Sequence, residues 1–274
     1  MSGLDLEPSK LGTKEHWDNV YKDEIVNFEE IGDEGEIWHY NFLFGVESVD
    51  KMVSWTAEHV PPSSDPSILE VGSGNGTLIL ALLEEDYPAR NLAGIDYSED
   101  AVKLSKLVAA AKDGDEVTFN MCDFLTEDPP RLSHMDPSKT DVWDLLLDKG
   151  TYDAIALGGK DEHGNSPAAR YPARAARLIK PGGFFLITCG PPYCIVSTPL
   201  PTIIVQLATL PKTSSKQASY QRKPDFSISA LFALLPISII QTVHVHTSSR
   251  IKHPSFTFGG KSGNVYCSVA FKKT

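Results

Sequence analysis

Positive charge is scarce in this sequence: 25 Lys and Arg stand against 36 Asp and Glu, a net charge of -11. So acidic a chain lacks the basic footprint by which proteins displace counterions from nucleic acid, and direct nucleic-acid binding is not expected. Long apolar runs are missing as well. The most apolar late stretch, Ser227–Ile240, is broken by Pro236 and is too short to cross a bilayer. Met1–Lys10 is polar and lacks the apolar core of a signal peptide. The four cysteines, Cys122, Cys189, Cys194 and Cys267, form no CxxC pair, and the eight histidines show no ligand spacing. No metal site is therefore expected, and His244 and His246 read as surface positions of a strand. These absences together predict a cytoplasmic protein with reduced thiols and no membrane segment.

What the chain does contain is an alternation of short apolar runs and helical stripes. After a disordered start over 1–10, residues 11–66 read as an N-terminal helical extension. Trp17, Val20, Tyr21 and Ile25 share one helical face, and a second helix covers Glu47–Glu58. Pro61–Pro66 is a linker with no room for a helix. Strands follow at Ser67–Val71, Leu92–Ile95, Val117–Met121, Trp143–Leu147 and Gly183–Thr188, with helices after the first and second. Ser98 caps the second of these, with Glu99 and Asp100 at its positive end. Leu178–Gly183 reads as helix end, turn and strand start. Parallel strands need crossovers, so this order predicts a doubly wound, mainly parallel α/β sheet with helices on both faces.

The strongest site signal is Glu70-Val71-Gly72-Ser73-Gly74-Asn75-Gly76, placed between a strand and a helix. Glycines there let a ligand approach the backbone. Asp96 ends the second strand, 20 residues after Gly76, where a carboxylate can accept from both ribose hydroxyls. Asp123 ends the third strand and suits an adenine amino group, with Phe124 either stacking on the ring or packing in the core. A dinucleotide turn would place glycine or alanine where this chain has Thr77. Glu70 suits a ligand ammonium better than a pyrophosphate. A dinucleotide oxidoreductase is therefore disfavoured.

The chain resembles the class I, seven-strand, S-adenosylmethionine-dependent methyltransferases, and within them the protein-lysine methyltransferases of translation elongation factor 1-alpha. The resemblance rests on Leu11-Gly12-Thr13-Lys14-Glu15-His16-Trp17-Asp18, on Gly32-Asp33-Glu34-Gly35-Glu36-Ile37-Trp38, on the Gly-rich turn, on Asp148-Lys149-Gly150-Thr151-Tyr152-Asp153-Ala154, and on Phe256–Asn264. It covers roughly 11–190 and 253–273. It implies a Rossmann-like sheet of seven strands and S-adenosylmethionine as cofactor. Glu70, Gly72, Gly74, Gly76, Asp96, Asp123 and Phe124 would line its site, with Trp38 beside it. It also implies a protein partner, elongation factor 1-alpha, met by a monomer. His39–Leu43 departs from the family pattern, which runs from Trp38 directly into Phe-Gly.

Asp148 ends the fourth strand and should open onto the same crevice. Two readings stand: it orients an incoming lysine ammonium as the catalytic carboxylate, with Thr151 or Tyr152 shaping the channel, or it caps the following turn. Lys149 is expected to face solvent or pair with a carboxylate. Glu29, Glu30, Asp33, Glu34 and Glu36 form an acidic stretch suited to a basic protein surface. Alternatives in other classes are a small-molecule methyltransferase on the same fold and a non-catalytic cofactor-binding module.

Pro191–Val243 differs from the rest. Its 53 residues hold a single acid, Asp225, and no strong amphipathic helix. It is expected to be anomalous or poorly ordered, after a cofactor-binding core over 67–190 and before closing strands over 244–274. Folding would resume near His253, with Asn264–Phe271 as the last strand.

Overall fold

The computed structural model describes residues 8–32, 46–190, 203–207, 241–253, 255–258, 261–264 and 266–274. Helix α1, Lys14–Ile31, starts at Thr13, whose hydroxyl accepts from the His16 N–H, and stops at Gly32 with φ 65°. It buries Tyr21 and Ile25. Helix α2, Val46–His59, buries Val49, Met52, Val53 and Thr56 at the expected three- and four-residue spacing. The linker after it contains one three-residue 3-10 turn, Pro62–Ser64.

The alternation then unfolds as expected: β1 Ile68–Val71, α3 Thr77–Glu84, β2 Leu92–Asp96, α4 Glu99–Ala111, β3 Thr118–Met121 and β4 Trp143–Lys149. Next come α5 Thr151–Ala156, α6 Tyr171–Leu178 and β5 Ile179–Cys189. The turn expected at Lys180–Gly183 is a bulge inside β5. Gly182 has φ 83°, and pairing slips from Trp143↔Ile179 to Leu145↔Phe184. Residues 128–141, between β3 and β4, carry no regular element.

The closing region corrects the sequence reading. Most of Pro191–Val243 lies outside the described residues. Within it are a short strand β6, Ile203–Leu207, and the first residues of β7, Gln241–Ile251. Regular structure is therefore present ahead of His253. Residues Ser255–Phe258 and Lys261–Asn264 form a separate hairpin, β8 and β9, and the last strand is β10, Cys267–Lys273.

The main sheet runs β3-β2-β1-β4-β5-β10-β7-β6. This is the seven-strand arrangement with β6 added at the edge. Strands β1 to β5 are parallel, and β10 is antiparallel to both β5 and β7. The strand order turns back at β1 and β4, which opens a crevice at their carboxyl ends.

Strand alternation sorts side chains between two core layers. Ile68, Leu92, Leu145 and Leu147 pack with α1 to α4 on one face. Leu69, Val71, Ala93, Ile95 and Leu146 pack with Tyr171, Ala175 and Leu178 on the other. At the carboxyl ends this places Glu70, Asp96 and Lys149 on the first face and Asp148 on the second.

The reduced-thiol expectation holds for Cys122 and Cys189, which are free, but not for Cys267, which is disulfide-bonded. Without a CxxC pair, the sequence carried no sign of that pairing.

Candidate functional site

A cavity of about 490 Å³ opens at the crevice, with Gly72, Gly74, Asp96, Asp123 and Phe124 in its wall. The Gly-rich turn can be built only from glycine at two of these points. Gly72 and Gly74 have φ 67° and 55°, and a Cβ would come within 2.0 Å of Thr151 Oγ1 and 2.6 Å of Tyr21 Oη respectively. Thr151 and Tyr21 fill the space that side chains would take, and the glycines' own backbone forms part of the cavity wall. Gly76, φ 83°, is set back from the cavity, against Phe119 at the start of α3.

Asp96 is buried. Its Oδ2 accepts from the Gly74 N–H at 3.0 Å and its Oδ1 from the Ser98 N–H at 2.9 Å. Burial pushes its pKa up to about 6, although those backbone donors pull the other way. Asp123 is half-buried and accepts from the Leu125 N–H at 3.0 Å and the Thr126 hydroxyl at 2.8 Å. Carboxylates have further lone pairs, so both can still accept from a nucleoside. Phe124 lines the cavity and packs on Tyr171, centroids 4.9 Å apart.

Two expected residues are placed elsewhere. Glu70 lies beneath the turn, 1 % exposed and outside the cavity wall. One carboxylate oxygen accepts from the Ile79 N–H, supplying the acceptor that Gly76, as N-cap, cannot. Its Oε2 has no hydrogen-bond partner among the described residues. Asp148 is fully buried and absent from the wall. Its Oδ1 accepts from the Thr151 N–H at 2.8 Å, and its Oδ2 from the Tyr152 N–H at 3.0 Å and the Tyr171 hydroxyl at 2.5 Å. Strand alternation turns it away from the crevice, so in this geometry it caps α5 and does not reach an incoming ammonium. Trp38 and the His39–Leu43 departure lie outside the described residues.

The structure also adds residues that the motif reading left out. Gly12, Trp17 and Tyr21 bring the N-terminal extension over the crevice as one wall, and Val46 and Val49 of α2 join it. The Trp17 Nε1–H donates to the Leu11 carbonyl at 2.8 Å, tying the start of α1 to the segment before it. Tyr97 lines the cavity beside Asp96, a place readable from its position directly after the strand-end acid. Lys149, expected in solvent or in an ion pair, is in the wall. Thr151 fastens the two sides: its hydroxyl donates to the Val71 carbonyl at 2.8 Å. Among the described residues, no cluster of three His, Cys, Asp or Glu could hold a metal ion, and no helix is long and apolar enough to cross a membrane.

The profile of a methyltransferase domain family matches residues 62–260. The chain belongs to that methyltransferase family. The match covers the whole Gly-rich turn, Asp96 and Asp123. Relatives of this methyltransferase include protein-lysine N-methyltransferase efm4 of Schizosaccharomyces pombe, 40 % identical over 69 % of this chain and 78 % of that protein. Mouse EEF1A lysine methyltransferase 2 is 31 % identical over 98 % of this chain and 86 % of its own. Protein-lysine N-methyltransferase EFM4 of Saccharomyces cerevisiae is 30 % identical over 98 % and 97 %.

The cofactor of the methyltransferase is S-adenosylmethionine, and the residues present fit it. Gly72 and Gly74 bring bare backbone to the cavity wall, and Asp96 and Asp123 stand in the same wall at two strand ends, suited to a nucleoside.

The buried acids also set a pH dependence. Burial raises Glu70 and Asp153 to about 8 each, with the charge of Lys149 partly opposing the shift at Glu70. The folded protein therefore keeps protons that the unfolded chain has released, and it loses stability as pH rises from about 5 through about 8. Glu70→Gln and Asp153→Asn should each make that decline shallower. Thermal unfolding of the ligand-free protein between pH 6 and 9 measures it; an unchanged slope in both variants would contradict this account.

Proposed function

We propose that this methyltransferase transfers a methyl group from S-adenosylmethionine to a lysine side chain of translation elongation factor 1-alpha, as a cytoplasmic monomer. The observation that carries the reading is the full-length similarity to EEF1A lysine methyltransferase 2, which spans the N-terminal wall as well as the core. When bound, the cofactor supplies an electrophilic methyl on a sulfonium. The protein's part is alignment, since no covalent intermediate is needed. Gly72 and Gly74 seat the cofactor against the backbone, Asp96 and Asp123 orient its nucleoside, and Trp17 and Tyr21 exclude water on the N-terminal side. The acceptor must arrive as a neutral amine, which from a pKa near 10.4 costs about 4.6 kcal/mol at pH 7. A dry site beside a positive sulfonium lowers that cost.

Purified protein, methyl-labelled cofactor and the elongation factor from the same organism test this directly. Label on a lysine of that factor is the expected result. Label on another protein keeps the chemistry and discards the substrate, and label on a small molecule favours the small-molecule alternative. Cofactor binding with no label anywhere in a cell extract leaves the binding-module alternative. If Glu29, Glu30 and their acidic neighbours steer the encounter, labelling at limiting substrate should weaken as salt rises.

A further inference from the structure

Lys149 is the single Lys, Arg or His among the described residues that line the cavity. Its side chain is half-buried, and its ammonium makes no hydrogen bond or ion pair with a described residue. The carboxyl groups of Glu70 and Asp148 act on it electrostatically without contacting it, so its donors stay open to an anion in the cavity.

Its position says which anion. The pairings Val71↔Ile95 and Val71↔Asp148 bring the next residues, Asp96, Gly72 and Lys149, to one level across β2, β1 and β4. Alternation puts the Asp96 and Lys149 side chains on the same face. Gly72 lies between them, and all three line the same cavity. Two strand spacings separate them, roughly 10 Å. A ligand whose ribose lies at Asp96 covers that span with a methionyl chain. The two ends of that span carry opposite signs: carboxylates at Asp96 and Asp123, an ammonium at Lys149. Glu70, on the same face beneath the turn, feels the charge of Lys149, but among the described residues its Oε2 makes no hydrogen bond.

We propose that Lys149 anchors the cofactor by pairing its ammonium with the methionyl carboxylate of S-adenosylmethionine. This rests on the cofactor assignment and not on the choice of methyl acceptor. Lys149 is then a binding residue, with no part in methyl transfer beyond holding the sulfonium in line. Its neighbour Asp148, one residue back and on the opposite face, holds the local backbone from behind.

The test is calorimetric and needs no turnover. S-adenosylhomocysteine and its decarboxylated analogue, which keeps the amine and lacks the carboxylate, are titrated into wild type, Lys149→Met and Lys149→Arg. Lys149→Met should weaken S-adenosylhomocysteine by about 30-fold, the loss of one charge-assisted hydrogen bond. It should leave the decarboxylated analogue within about threefold, while Lys149→Arg keeps S-adenosylhomocysteine within about fivefold. Unchanged affinity for S-adenosylhomocysteine in Lys149→Met, or an equal loss for both ligands, overturns the proposal. Lys149→Gln must repeat the Met pattern. Failure of both neutral variants to fold would assign Lys149 to stability and overturn it as well. Loss of binding by wild type to both ligands would instead strike the cofactor assignment itself.

Discussion

Replacing Asp96 by Ala should weaken binding of S-adenosylhomocysteine by about 100-fold or more. With Asp96 proposed as the ribose acceptor, two hydrogen bonds would be lost, each worth about 1.5–3 kcal/mol when the acceptor is charged. The Gly74 and Ser98 N–H groups lose their shared acceptor at the same time, so the turn itself loosens. A pH signature separates the two effects. With the Asp96 pKa raised to about 6, the ionised form that accepts from ribose becomes scarce below that value. Wild-type affinity should therefore rise between pH 5 and pH 7, and Asp96→Asn should abolish the rise. Calorimetry across that range measures both. A flat wild-type profile, or an Ala variant within threefold of wild type, would remove Asp96 from the ribose site.

The second large effect is on stability. Asp148→Ala takes one carboxylate away from three donors: the Thr151 and Tyr152 N–H groups and the Tyr171 hydroxyl. Asp148 and Tyr171 are buried to within 1 %, and the two backbone bonds are partly buried. Leaving such donors unsatisfied destabilises by about 3–5 kcal/mol. Asn at 148 keeps an oxygen for the backbone donors while its amide must reorganise against Tyr171, so its effect should be smaller, about 1–2 kcal/mol. Denaturant unfolding monitors both. Cofactor affinity should fall in parallel, because the Thr151 hydroxyl that Asp148 positions also braces Val71. A stable Asp148→Ala protein that binds cofactor and has lost only turnover would return Asp148 to a direct catalytic role.

Much of the cofactor end was legible because it is local. Glycines, a strand-end acid and the interval between Gly76 and Asp96 follow from one βαβ unit, and the unit's length is set by its own helix and strand. The fate of Asp148 and Lys149 was not legible in the same way. Both stand at the end of β4, and which of two consecutive residues meets the cavity depends on how β4 registers against β1. The Val71↔Asp148 pairing decides it. The bounds of the closing strands were only roughly legible for a related reason. β10 enters the sheet between β5 and β7, and its partners on β5 lie 78 residues back at Cys267↔Cys189 and farther along the rest of the ladder, so no nearby pattern announces that pairing. The N-terminal wall was readable only through resemblance, because Gly12, Trp17 and Tyr21 become neighbours of Gly74 and Asp96 only after the chain folds back over the sheet.

That fold-back leaves the cavity with a seam. The Ser9 N–H donates to the Leu157 carbonyl at 3.1 Å, and a Cβ on Gly12 would lie 2.2 Å from the Leu157 carbonyl carbon. Two stretches of main chain, one from the beginning of the protein and one from its middle, close edge to edge over the ligand with almost nothing between them. Parting them breaks one backbone hydrogen bond and a few apolar contacts, a local opening far smaller than unfolding the core. Time spent by spent cofactor on the enzyme then depends on how often this seam parts as well as on how tightly the acids hold. A side chain at position 12 would act as a wedge, shortening that residence while leaving Asp96 and Asp123 untouched.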